Sequence, residues 1–178
     1  KNLSKFDLNK CKTSLKVLEK RGPDKTFYKT HQNRIFYGQT ILSLTGNVTN
    51  QQELQSNNSY ELLFNGEIYN YIDLSKKHLQ NFNIDKNTTD TEVLLSLHNN
   101  LLAENIPSLL DGMFAYCLHD KNNNILHLVT DIQGEKSLYY YQDNDLVIIS
   151  SEINAILEYC PNQKINKEFL NNYFFTRH

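Results

Sequence analysis

The second half of the chain sets the tightest limit on what it can fold into. Four apolar runs follow one another there: Met113 to His119, Ile125 to Thr130, Leu138 to Tyr141 and Leu146 to Ser150. Breaks rich in Asp, Asn and Gly separate them. Runs of this length and spacing read as strands, with hairpin loops at Asp120 to Asn124 and Gln142 to Asp145. Cys117 falls within the first run and reads as core. Asp111-Gly112 reads as a turn leading into that strand.

The first half carries a different period. Leu8, Cys11, Leu15 and Leu18 recur at three- and four-residue intervals, which predicts a helix over Asp7 to Lys20. Asp7 or Ser4 can cap it, and Gly22-Pro23 stops it. Arg34 to Tyr37 and Thr40 to Leu44 read as short strands with Gly38 between, and Thr45 to Ser59 as a polar loop. Asp73 to Leu79 reads as a helix and Asn81 to Thr88 as a loop. A further helix opens at Thr89 or Asp90, with Leu94, Leu97, Leu101 and Leu102 on its buried stripe. Glu152 to Tyr159 and Lys167 to Phe175 read as the last helices. Helices with antiparallel strands in one chain imply an α+β layered domain.

Between the halves lies Tyr60 to Asn70, Tyr-Glu-Leu-Leu-Phe-Asn-Gly-Glu-Ile-Tyr-Asn. It opens as a buried strand over Tyr60 to Phe64 and is expected to break at Asn65-Gly66. Asn65, Gly66 and Glu67 then offer an amide, a bare backbone N–H and a carboxylate at a strand end. That set suits an amide substrate; it equally suits a plain turn.

Composition narrows the function. The chain has 178 residues, which is consistent with one domain. A net charge of -2 gives no ground for a nucleic-acid or acidic-membrane partner. No apolar run approaches the roughly 20 residues of a membrane helix. Three cysteines, Cys11, Cys117 and Cys160, are an odd number without metal spacing, so the chain reads as reduced and cytoplasmic. His31, His78, His98, His119 and His127 form no pattern with Cys, Asp or Glu, so they read as surface or filler residues and no metal site is expected.

Several segments stand in a fixed order: Arg21-Gly22-Pro23-Asp24, Asn65-Gly66-Glu67-Ile68-Tyr69-Asn70, Asp90-Thr91-Glu92-Val93-Leu94-Leu95 and Asp111-Gly112-Met113-Phe114-Ala115. Gly134-Glu135-Lys136-Ser137-Leu138 and Ser151-Glu152-Ile153 follow. Together they resemble the glutaminase domain of glutamine-dependent asparagine synthetases, the class II glutamine amidotransferases. The resemblance covers essentially all of residues 1–178. It implies an N-terminal-nucleophile hydrolase fold, a four-layer αββα sandwich of two antiparallel sheets. It implies that an N-terminal Cys, activated by its own α-amine, cleaves the glutamine side-chain amide. Glutamate and ammonia are the products. Asn65 resembles the oxyanion-hole side chain and Gly66 the backbone donor beside it. Glu67 and Asp90 resemble the pair that holds the substrate's α-ammonium. Each has a plainer reading: Asn65 and Gly66 as a turn, Glu67 as a solvated acid, Asp90 as a helix cap. Arg21 and Asp24 resemble an ordered loop near the site, with a structural role as the alternative. Asp131 and Lys136 suggest an ion pair without catalytic work.

The resemblance also implies a synthetase domain following residue 178. That domain would take the ammonia and use ATP and Mg; no cofactor is expected within these residues. A homodimer is compatible with this reading.

Three departures stand out. The family's Cys-Gly-Ile start is absent, so the chain is expected to begin about one strand late and, as given, to hydrolyse no glutamine. Cys11 cannot replace that nucleophile, being close to Arg21 and on the core face of a helix. The Arg that grips the substrate's α-carboxylate is replaced by Thr40 or Ile41, with Arg34 the nearest substitute. Thr130-Asp131-Ile132 stands where the family carries Arg-Asp-Arg. The absent Arg favours an alternative reading, an inactive glutaminase-like scaffold for a synthetase domain. The retained Asn65, Gly66, Glu67 and Asp90 favour activity.

Overall fold

The structure, a computed structural model, describes residues 6–42 and 55–176. Helix α1 spans Leu8–Leu18. Asp7 caps it, its carboxylate accepting the N–H groups of Asn9 and Lys10 at 2.9 and 3.2 Å. Those are donors that a first helical turn leaves unpaired. Ser4, the other candidate cap, lies outside the described residues.

Strands β1 (Lys25–His31) and β2 (Ile35–Ile41) form an antiparallel hairpin. Sequence reading misses β1, whose side chains are mostly exposed and carry no apolar alternation. It also divides β2 at Gly38, whereas the strand runs through unbroken and pairs Gly38 with Tyr28. The glycine answers to packing: a Cβ there would sit 2.9 Å from Leu15 Cδ1 of α1. Ser43, Leu44 and positions 45–54 of the predicted strand and loop lie outside the described residues. Within the rest of that loop, Gln55–Ser56 forms a short strand, β3.

β4 (Tyr60–Ile68), β5 (Gly112–Asp120) and β6 (Ile125–Thr130) join β3 in a four-stranded antiparallel sheet, ordered β3-β4-β5-β6. The predicted break at Asn65-Gly66 does not occur. Asn65 pairs with Ala115, Gly66 with Phe114 and Glu67 with Met113, so the ladder continues to Ile68. Gly66 serves this close pairing, with φ of +134° and no space for a side chain: a Cβ would lie 2.0 Å from Met113 O.

Helices α2 (Tyr71–His78) and α3 (Asp90–Asn100) cover one face of this sheet. Thr89, not Asp90, caps α3. Its hydroxyl accepts the Glu92 N–H at 3.2 Å, and the Glu92 carboxylate accepts the Thr89 N–H at 2.9 Å. Leu94 and Leu97 are buried as the period predicts. Leu102 is not; it is 65% exposed. The helix ends at Asn100 and Leu101 turns extended, so the helical spacing no longer carries Leu102 inward. Leu62 of β4 and Phe114, Tyr116 and Leu118 of β5 complete this core.

The opposite face meets the β1–β2 hairpin. Lys29 Nζ of β1 donates to both Glu61 oxygens at 2.9 and 3.2 Å, and Tyr37 OH of β2 lies 2.6 Å from His119 Nδ1 of β5. His98 and His119 are therefore not surface residues; each is 3% exposed. β7 (Tyr139–Gln142) and β8 (Val147–Ser150) form a third antiparallel pair. By hydrogen bonding, then, three sheets stand among the described residues where the resemblance implies two. Helix α4 (Ile153–Tyr159) packs on α1, with Tyr159 OH accepting the Asp7 N–H at 3.1 Å. Helix α5 spans Lys167–Thr176. Among the described residues no helix is long and apolar enough to cross a membrane.

Candidate functional site

β2, β4, β5, β8 and the N-terminus of α3 border an open cleft of about 900 Å³. Asn65, Gly66, Glu67 and Asp90 all line it, although Asp90 is far from the others in sequence. Side chains alternate along a strand. Leu62 and Ile68 pack toward α2 and α3, so Asn65 and Glu67 fall on the other face, with Glu61 and the β1–β2 hairpin.

The backbone of Gly66 is aimed by the ladder. Ile68 donates its N–H away from β5, to Asp90 Oδ2 at 2.9 Å. Phe114, opposite Gly66, sends both of its backbone groups toward Asp131: its N–H to Asp131 Oδ2 at 3.1 Å and its O to the Asp131 N–H at 2.8 Å. Gly66 and Phe114 are therefore a non-hydrogen-bonded pair, and the Gly66 N–H faces the other edge of β4. β3 pairs only with Glu61 and Leu62, so among the described residues no strand covers that edge at Gly66. Beside it, the Asn65 Nδ2 is buried and has no hydrogen-bond partner among the described residues. An unpaired buried donor costs about 1–3 kcal/mol, so a ligand acceptor there would recover that energy.

Asp90 has structural work. Besides Ile68, it accepts the Thr91 N–H at 2.7 Å and the Thr91 hydroxyl at 3.2 Å, all on a carboxylate with about four acceptor positions. It ties α3 to the end of β4 and keeps room for about one more donor. Glu67 is exposed at the cleft.

Arg21 also lines the cleft, bound to Glu152 at 2.9 Å and to Ser151 O at 3.2 Å; Asp24 is not among the lining residues. Thr40 and Ile41 are on the wall, but Arg34 is not. It sits in the turn before β2, and the seven residues of that strand carry the chain about 23 Å from there to Ile41. Arg34 therefore cannot substitute for a carboxylate-binding group at Ile41.

Sequence reasoning gave Asp131 and Lys136 too small a part. Asp131 is buried and accepts four backbone N–H groups, from Phe114, Gln133, Glu135 and Lys136, at 3.0–3.2 Å. Burial alone would raise its carboxyl, but the N–H groups of Glu135, Lys136, Phe114 and Gln133 outweigh it and hold the group below the usual carboxylate range. Lys136 meets Asp131 through its backbone N–H, not as the ion pair suggested by the sequence, and the residue lines the cleft. The signal was an Asp three residues before Gly134, an Asx-type turn.

No cysteine within these residues is activated. Burial pushes the Cys11 thiol up to about 11 and Cys117 to about 12, and raises Cys160. Cys11 lies outside the cleft; Cys117 lies on its wall, in β5. Among the described residues no group of three His, Cys, Asp or Glu side chains is placed to hold a metal ion.

Antiparallel sheets flanked by helices, with an open cleft bordered by β2, β4, β5, β8 and the start of α3, define an α+β domain. More narrowly, the chain belongs to the glutamine amidotransferase domain family, whose model matches residues 2–178. It is 37% identical over 158 residues to asparagine synthetase [glutamine-hydrolyzing] 1 of Bacillus subtilis, covering 86% of this chain and 24% of the relative. A protein of Acanthamoeba polyphaga mimivirus, "Probable asparagine synthetase [glutamine-hydrolyzing]", is 36% identical over 173 residues, covering 92% of this chain and 31% of the relative. Asparagine synthetase [glutamine-hydrolyzing] 2 of Bacillus subtilis is 33% identical over 159 residues, covering 88% and 21%. The chain thus spans between a fifth and a third of the length of these curated relatives.

Proposed function

We propose that residues 1–178 belong to the glutaminase domain of an asparagine-synthetase-like amidotransferase, which hydrolyses glutamine to glutamate and ammonia with a nucleophile supplied from outside these residues. One observation carries this: the Asn65 Nδ2, without a hydrogen-bond partner among the described residues, and the outward Gly66 N–H belong to adjacent residues lining the cleft that also holds Glu67 and Asp90. Asn65 and Gly66 donate to the oxyanion formed when a thiolate attacks the side-chain amide carbon. The C–N bond then breaks, ammonia leaves with a proton, and water hydrolyses the thioester. Glu67 and Asp90 receive the substrate's α-ammonium. The thiol is an N-terminal Cys outside these residues, since the three cysteines within them are held protonated or lie off the site. A synthetase domain after residue 178 uses the ammonia with ATP and Mg. The exposed Phe169, Phe174 and Phe175 of α5 are suited to packing against it. An inactive scaffold would leave the Asn65 amide without a role.

The finer architecture proposed is the four-layer αββα sandwich, with β1–β2 and β7–β8 as parts of one sheet. In support, α2 and α3 cover one side, Lys29–Glu61 and Tyr37–His119 join sheet to sheet, and α1 and α4 lie beyond β2 and β8. Three free cysteines fit a reducing, cytoplasmic setting.

The test is ammonia release from glutamine by the full-length protein. Asn65→Ala should lower kcat about 100- to 1,000-fold, while synthesis driven by added ammonia persists. A wild type that releases no ammonia, or an Asn65→Ala variant as fast as wild type, overturns the reading.

A further inference from the structure

An α-amino acid carries an anion beside its ammonium, and the glutaminase reading, on which this inference rests, accounts only for the ammonium. The α-carboxylate needs a cation or several donors. On β2, Thr40 and Ile41 offer no charge, and the Thr40 hydroxyl already donates to Leu18 O at 3.1 Å. The lysine and arginine residues that line the cleft among the described residues are Arg21 and Lys136. Arg21 is spoken for by Glu152 and Ser151. Lys136 makes no ion pair among the described residues.

The position of Lys136 is built, not incidental. Its N–H and that of Phe114 donate to the same oxygen, Asp131 Oδ2, at 3.2 and 3.1 Å. Phe114 is the residue opposite Gly66. The Asp131 carboxylate thus pins the backbone of Lys136 next to Phe114, on the edge of β5 that turns away from β4. The residue as a whole is half-buried.

The geometry points to Lys136 as the specificity-determining residue that holds the α-carboxylate of the amino-acid substrate. Asp131 is its positioning residue.

The experiment compares L-glutamine with glutaminamide, in which the α-carboxylate is an uncharged amide, as substrates of the full-length protein. Wild type should prefer glutamine. Lys136→Met should raise KM for glutamine about 10- to 100-fold with kcat little changed, as expected for losing a charge-assisted contact. The preference over glutaminamide should shrink by the same factor, and Lys136→Arg should restore most of it. A merely structural lysine would weaken both substrates alike. If wild type hydrolyses glutamine and Lys136→Met keeps both its KM and its preference, the assignment of Lys136 is wrong while the glutaminase reading stands. If wild type hydrolyses neither compound, the glutaminase reading falls and takes this inference with it.

Discussion

Replacing Gly66 with alanine puts a methyl group where β4 and β5 leave none. The new Cβ would stand 2.0 Å from Met113 O and 2.7 Å from Phe114 Cα, both backbone atoms of the neighbouring strand. No rotamer relieves a clash between Cβ and backbone, so the strands must part, and ladder hydrogen bonds near Gly66 stretch. Overpacking of this kind costs about 1–3 kcal/mol. A φ of +134° adds about 1–3 kcal/mol for a residue with a side chain, and one lost hydrogen bond about 1 kcal/mol. The sum is about 3–7 kcal/mol, against a typical total stability of about 5–15 kcal/mol. Gly134→Ala is the internal control. Its φ is +68°, but nothing lies within 4 Å of the added Cβ. It should cost about 1 kcal/mol, the left-handed penalty less the entropy gained in the unfolded chain. Urea unfolding of the two purified variants measures both. With a slope of about 2 kcal/mol/M, Gly66→Ala should lower the midpoint by about 2 M or fail to fold, and Gly134→Ala by about 0.5 M. A Gly66→Ala variant within 1 kcal/mol of wild type, or a control that loses as much, would show that close strand approach does not set this residue.

Two further outcomes follow from buried polar groups. Burial, with His127 adding a smaller repulsion, holds the His98 imidazole down at about 4. An unfolded His takes its proton near 6.5, so between these values the unfolded state binds more protons and stability falls with the pH. From pH 7 to pH 4.5 this group should remove about 2 kcal/mol, and His98→Leu should flatten the acid limb of a urea midpoint series by that amount; an unchanged limb refutes it. Asp131→Ala removes the shared acceptor of four N–H groups. Hydrogen exchange at Gln133, Glu135 and Lys136 should speed up about tenfold or more, and equal rates in variant and wild type would show that the carboxylate does not hold the loop.

What the sequence determined is local. Helices α1 and α3 follow from a 3.6-residue period and strands β5 to β8 from apolar runs between turn residues, all acting within a few residues, with each cap left open between two candidates, Asp7 or Ser4 and Thr89 or Asp90. The four expected site residues also meet on one cleft, because three are adjacent in β4 and Asp90 heads the helix that packs on that strand. Only tertiary structure decided the rest. Asn65-Gly66 looks like a turn until β5 pairs with it, since a glycine required by a neighbouring strand and one required by a bend read alike. β1 has no apolar alternation and is a strand because β2 lies beside it. His98 and His119 are buried by side chains distant in sequence. Lys136 lines the cleft because Asp131 binds Phe114 and Lys136 through one oxygen, a contact that exists only once β5 and β6 are paired. Periodicity records which way a side chain points along its own element; what it meets there is set by segments that the sequence does not place next to it.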